Sequence, residues 1–360
     1  LIGPCGVMVL YAMITQLREL NYTSVIPIDV LYGSGTYLAI SVLSTIVGVI
    51  ASLGLAYMVE HTVSSAGKIR PYTLIGSLLV VVSGTALFFC PFEKGSAGML
   101  IWLFAINVLY NGVALTLWNL RTNLISLVTR NQKDRTSITT MYYGVNYIIP
   151  GLFGGFIVSS ILYYRILAND TTGDNWRRLI LIFAAIAVPL FIIEYFFTRE
   201  RITEENRLMN RTRDGETVTL PVLSQLKLLF TDKYYILALI MSLLGVAGAN
   251  IQGINTRTNF CQWVLGATAE NNIQMLYLAV AMAPMGFGIF LIHPLAKKMG
   301  ARNINIVSNI LLVLMNGLCM LNPTSLPFAF AGGFLLNFAS LAPSYVSPVF
   351  TMQANDSIEY

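Results

Sequence analysis

Charged side chains are scarce in this 360-residue sequence. Asp, Glu, Lys and Arg make up 11% of it, against 56% hydrophobic residues. A water-soluble domain carries about 25% charged residues, so a soluble globule is excluded. Short segments alternating apolar and polar residues are also missing, which excludes a membrane β-barrel. Cysteine is sparse. Cys5, Cys90, Cys261 and Cys319 form neither a CxxC nor a metal-type spacing and read as small packing residues. His61 and His293 have no Cys, His or acid at ligand spacing beside them, so no metal site is expected. There is no P-loop, no Gly-x-Ser-x-Gly elbow and no HExxH. ATP-driven transport and familiar membrane hydrolysis therefore have no support, and neither an enzyme activity nor a cofactor is expected.

Long uncharged runs take the place of what is missing. They extend over Val30–Val59, Pro71–Phe92, Gly95–Leu120, Thr136–Tyr164, Tyr234–Thr256, Asn271–Ala296 and Asn303–Asn355. A helix needs about 20 residues to cross the roughly 30 Å hydrocarbon core. The last run is long enough for two spans, with Asn322-Pro323 as the turn between them. Only helices or closed barrels satisfy the backbone in lipid. The predicted class is an all-α polytopic membrane protein with the lipid bilayer as its solvent. Its ten predicted spans are 2–26, 34–57, 72–91, 98–120, 138–163, 179–198, 235–255, 272–294, 304–321 and 325–350.

The one long polar segment, 199–233, separates six spans (1–198) from four (234–360). The loops after even-numbered spans hold Lys68, Arg70, Arg121, Arg130, Lys133, Arg135, Lys297, Lys298 and Arg302, and the linker adds more. The opposite loops hold only Lys94, Arg165, Arg177, Arg178 and Arg257. The positive-inside rule then places the N-terminus and the linker in the cytoplasm of a multi-pass plasma-membrane protein. The net charge of +5 is thus topological, and no nucleic-acid partner is implied. Basic turns built around glycine occupy the same place in each half: Ser65–Arg70 after the second span and Lys297–Arg302 after the eighth. Six spans, a cytoplasmic linker and a matching second half describe the major facilitator arrangement.

Four stretches carry a more specific resemblance. They are Gly67-Lys68-Ile69-Arg70-Pro71-Tyr72 with Leu74-Ile75-Gly76, Asp134-Arg135-Thr136, Phe197-Thr198-Arg199-Glu200-Arg201, and Met352 to Tyr360. In order and topology these resemble the glycoside–pentoside–hexuronide:cation symporters. The resemblance implies a major facilitator fold of twelve helices, two bundles around a central cavity, of which ten would be present in this chain. It implies a secondary transporter of a sugar or glycoside working by alternating access. The coupling ion would be sodium or a proton. Two rival readings stay open, an uncoupled facilitator or carrier of another small organic solute, and a non-transporting membrane sensor. The solute partner is a small, sugar-like molecule, and the oligomeric state is not indicated.

The residues depart from the family pattern at its ion site. The family's paired carboxylates on the second helix match Gly48 and Ser52, and Thr36–Tyr57 contains no acid. The family's sugar-binding acids fall near Met13 and at Trp118 or Asn119. Trp118 and Asn119 still offer an aromatic face and an amide to a sugar, with lipid-side packing and interhelical bonding as the competing roles. Arg18 and Glu19 sit inside an apolar run, where ionisable residues are functional candidates. Glu19 is the candidate cation or proton ligand and Arg18 a candidate solute contact. The alternative is that both sit among lipid headgroups. Tyr143 and Asn250 complete the solute-binding candidates, and Gly248, Gln252 and Asn337 could face the cavity. Lys68, Arg70, Asp134 and Arg135 are candidates for a cytoplasmic latch that biases one alternating-access state. Glu194 is expected to reach towards Arg199 or Arg201.

Overall fold

The computed structural model describes residues 2–62, 66–128, 138, 142, 157, 162, 173–200, 230–231, 233, 235–237, 239–241, 243–244, 254–268 and 271–358. Among them every regular element is helical. Two compact units emerge, one gathering the helices between Ile2 and Phe197, the other those between Ile254 and Ile358.

In the first unit α1 covers Ile2–Leu20 and continues through a π-helical turn, Asn21–Val25. The short α2 (Ile28–Tyr32) leads into α3 (Thr36–Glu60), and α4 follows at Arg70–Ala86. Next, α5 (Ala97–Val108), a second π-helical stretch (Leu109–Ala114) and α6 (Leu115–Asn119) run on as one rod, followed by α7 (Arg121–Val128). The last of the unit's described helices is α8, Asp174–Phe197. The second unit contains α9 (Ile254–Trp263), α10 (Ile273–Met299), α11 (Ala301–Leu321) and α12 (Leu326–Ile358). The first to fourth, sixth and eighth to tenth predicted spans therefore coincide with helices. The fifth and seventh lie largely outside the described residues, as does linker segment 201–229.

Local chemistry explains several boundaries. Ser96 caps α5, its hydroxyl accepting from the Met99 N–H at 3.3 Å. Pro71 stands in the first turn of α4, where its missing N–H has no consequence. The two basic turns share a backbone device. Gly67 has φ +109° and Gly300 φ +80°, a region open to glycine and strained for other residues.

Among the described residues, five helices are long and apolar enough to cross a membrane: Thr36–Val59, Ala97–Leu124, Asp174–Phe197, Arg302–Leu321 and Leu326–Pro343. Their outer faces carry large exposed apolar side chains, such as Leu38, Ile46 and Leu53 on α3, and Ile182, Ile186 and Phe196 on α8. Water would penalise such faces; lipid does not. The buried side of the first unit is formed where α1 packs on α8 and α4 packs on α6 and α8. Met8, Met13, Leu17, Leu103 and Trp176 are fully buried there.

Candidate solute-binding site

A polar cluster lies between the first and fourth spans of the first unit. Arg18 on α1 donates from one guanidinium nitrogen to the side-chain oxygens of Asn107 (3.5 Å) and Asn111 (3.3 Å). Asn107 in turn donates to the Tyr22 hydroxyl at 3.1 Å and to its own helix at Leu103 O, 2.7 Å away. Both rods change from α to π winding at this level, at Asn21–Val25 and Leu109–Ala114. A π turn inserts a residue into a helix and recurs at functional sites. Here it re-aims the side chains that follow Arg18 and Asn107. The Asn21 amide nitrogen and Tyr110 hydroxyl are buried nearby in sequence, without a protein hydrogen-bond partner. Such groups are the ones water or a polar ligand satisfies.

Towards the outer end predicted from topology, a small cavity of about 100 Å³ is lined by Asn21, Phe88, Lys94 and Arg177 among others. Lys94 donates to Val25 O at 3.0 Å across its rim.

About two turns along from Arg18 and Asn111 sits an aromatic and ionic stack. Trp118 is buried, its ring 5.4 Å from that of Tyr11, and the Arg121 guanidinium lies 3.6 Å over it. The lipid-side role considered for Trp118 therefore gives way to an interior one. Arg121, counted above among loop residues, is buried at the start of α7. Asn119, by contrast, is exposed.

The position of the family's ion-binding acids is closed by packing. A Cβ at Gly48 would sit 3.0 Å from Gly112 Cα, and one at Gly112 would sit 2.5 Å from Gly48 Cα. Here α3 and the π stretch meet backbone to backbone, as small residues allow in membranes. Ser52 spends its hydroxyl on Val49 O, 2.7 Å away. Neither position carries a carboxylate, and at Gly48 the packing leaves no room for one.

The latch candidates Lys68 and Arg70 meet an unanticipated partner. The Glu200 carboxylate, buried just beyond α8, accepts the backbone N–H groups of Lys68 (2.8 Å), Ile69 (2.7 Å) and Arg70 (2.6 Å). These are the otherwise unpaired donors at the start of α4, where the helix dipole favours an anion. Arg70 completes the clamp. Its guanidinium donates twice to Tyr195 O, at 2.9 and 2.7 Å, and lies 4.3 Å over the Tyr195 ring. Gly67 is required because any side chain there would strike the Glu200 carboxyl. Glu200 stood in the Thr198–Arg201 stretch quoted above, but spacing alone assigned it no role.

Asp134, Arg135, Tyr143, Asn250, Gly248 and Gln252 lie outside the described residues. So does the side chain of Glu19, whose backbone belongs to α1. Asn337 is buried on α12 and accepts from Arg257 at 3.1 Å. Arg257 itself, assigned above to an outer loop, belongs to helix α9.

The whole chain, residues 1–360, matches the family described as MFS/sugar transport protein. The chain belongs to that family. This is a family of transporters, not of enzymes, and it agrees with the major facilitator resemblance read from the motifs. Among curated proteins, the chain is similar to the uncharacterized symporter YjmB of Bacillus subtilis (strain 168), 25% identical over 292 residues, covering 80% of this chain and 58% of the relative. It is also similar to the isoprimeverose transporter of Lactiplantibacillus pentosus, 23% identical over 317 residues, covering 84% and 60%. A third relative, the uncharacterized symporter YnaJ of Bacillus subtilis (strain 168), is 26% identical over 210 residues, covering 56% and 42%. The chain thus spans about three-fifths of the length of the first two. Membership of this family and the apolar helices together make it a multi-pass membrane protein.

Proposed function

We propose that this chain works as a secondary transporter carrying a sugar or similar small polar solute by alternating access of two helix bundles. The observation that carries the reading is the Arg18–Asn107–Asn111–Tyr22 cluster between the first and fourth spans, where both rods take π-helical turns. A charged group held by amides inside an apolar unit is costly and is retained at solute or ion pathways. The relatives named as symporters and as an isoprimeverose transporter support a sugar-like solute. The four motifs support placement among the glycoside–pentoside–hexuronide:cation symporters, in the plasma membrane with the N-terminus and linker cytoplasmic. Coupling through the second span is disfavoured by the Gly48–Gly112 contact. Glu19 remains the candidate ligand for a coupling sodium ion or proton, and the Lys68–Arg70 turn clamped by Glu200 the candidate latch.

The test is sugar counterflow in proteoliposomes containing the natural full-length protein, with and without sodium and proton gradients. Saturable counterflow that Arg18→Gln lowers at least tenfold is the expected result. Tight sugar binding without any counterflow would refute transport and favour a sensor. Counterflow that Arg18→Gln leaves unchanged would remove the cluster from the solute path. A gradient dependence that survives Glu19→Gln would remove Glu19 as the ion ligand.

A further inference from the structure

The small cavity beside Asn21 in the first unit is lined by two cationic side chains, Lys94 and Arg177. Among the described residues lining it there is no acidic one. Three parts of the unit meet there: the π turn after α1, the stretch between α4 and α5, and the start of α8. Lys94 uses a donor on Val25 O at 3.0 Å, and an ammonium group has three. Arg177 reaches Phe88 O at 3.4 Å and Asp174 at 3.5 Å. Both contacts are long for a guanidinium and leave part of its fork unspent. Asn21 is 3% exposed, and its amide nitrogen has no hydrogen-bond partner in the protein. A buried donor left without an acceptor is costly.

The backbone adds positive character. Gly173 caps α8 at φ +82°, and a Cβ there would come within 2.8 Å of Val25 Cγ1. Glycine thus lets the start of a 24-residue helix press against the π turn. The dipole of such a helix places roughly half a positive charge at this end. An ammonium, a guanidinium, a helix N-terminus and an unpaired amide therefore surround one space. All four favour a negative ligand, and the first three repel a metal cation. The cavity's volume, about 100 Å³, falls well below the roughly 300–1,000 Å³ of organic-ligand sites. Its ligand has to be an ion of very few atoms.

We propose that this cavity binds a small monovalent inorganic anion of the halide class, with Lys94, Arg177 and Asn21 as its donors. The charge count sets the valence. Arg177 shares its charge with Asp174, so the equivalent of about one cation is left for the ligand. The rest of the wall is apolar, with Val25, Ile26, Phe88 and Met99 in it. A divalent oxyanion would lose more hydration there than these donors return. A halide asks for donors alone, and this wall supplies donors. A half-turn of the Asn21 amide brings its N–H groups to the ion, and no bond to that nitrogen opposes the turn. The bound ion ties the first span, the α4–α5 stretch and α8 together.

The test is thermal unfolding of the natural full-length protein in detergent, followed by calorimetry. Sodium chloride, bromide, gluconate and phosphate are compared at equal ionic strength. With halide at about ten times its Kd, the midpoint should stand about 3–5 °C above that in gluconate. Lys94→Gln should abolish this increment while melting in gluconate within about 2 °C of the unaltered protein. Arg177→Gln should lower it at least by half, and Lys94→Arg should keep most of it. Asn21→Asp, which sets a carboxylate against the ion, should also abolish it. Equal midpoints in chloride and gluconate would overturn the proposal. So would a halide increment that Lys94→Gln and Arg177→Gln leave unchanged, because that is a general salt effect. Phosphate that stabilises as much as chloride would overturn the monovalent assignment.

Discussion

Replacing Gly112 by Ala should destabilise this protein, although alanine is the better helix former. The added Cβ would lie 2.5 Å from Gly48 Cα and 3.3 Å from Gly48 O. Carbon atoms in contact prefer about 3.5–4.0 Å, so α3 and the Leu109–Ala114 stretch must part by roughly 1 Å. A gap of about 0.5–1 Å already forfeits a quarter to a half of each dispersion contact along the seam. Overpacking of this kind costs about 1–3 kcal/mol, more than the roughly 1 kcal/mol that Gly to Ala gains in a helix. Gly54, on the same α3, has nothing within 4 Å of its would-be Cβ. Gly54→Ala is therefore the matched control and should be neutral or mildly stabilising. Thermal unfolding of the full-length protein in detergent, followed by tryptophan fluorescence, reads the difference. With roughly 2–4 °C per kcal/mol in a domain of this size, Gly112→Ala should melt several degrees below Gly54→Ala. Equal melting temperatures, or a stabilised Gly112→Ala, would refute the close approach of the two helices and the sealed ion site built on it.

Substitutions at two further positions, Glu200 and Gly48, test the start of α4 and the seam itself. Glu200→Ala should cost on the order of 2–3 kcal/mol, because three backbone donors at the start of α4 lose a charged acceptor. Glu200→Gln should cost less, and the two melting curves would show the order. Gly48→Asp should lower the melting temperature at least as much as Gly112→Ala does, and should fail to confer sodium-dependent uptake. A stable Gly48→Asp protein with new sodium dependence would show that the second span can still accept the ion.

How much of the site was legible depends on how far each residue's partners lie along the chain. Arg18 stood out at once as a charge in a greasy run. Asn107 drew no notice, though it and Asn111 stand four residues apart on one face of an uncharged helix. That spacing was the available signal. Arg257 looked like a loop residue because the apolar run before it ends, and only α9 shows that the helix carries it to Asn337. Glu200 was visible as part of a motif, but its task depends on backbone donors some 130 residues away.

The sequence by itself determined where this chain can meet lipid. Desolvating an ionic group in hydrocarbon is so unfavourable that charge can only gather between apolar runs, and one chain read alone reveals that pattern. It also revealed the family, since the turns that end those runs carry the motifs. What only the tertiary structure decided was which buried polar groups share a partner. Hydrogen bonds act over about 3 Å, so the pairing of Arg18 with Asn107, of Arg257 with Asn337 and of Glu200 with the start of α4 exists only once separate helices stand side by side. The same holds for Gly48 and Gly112, whose lack of side chains becomes a contact rather than an absence only when the two rods touch.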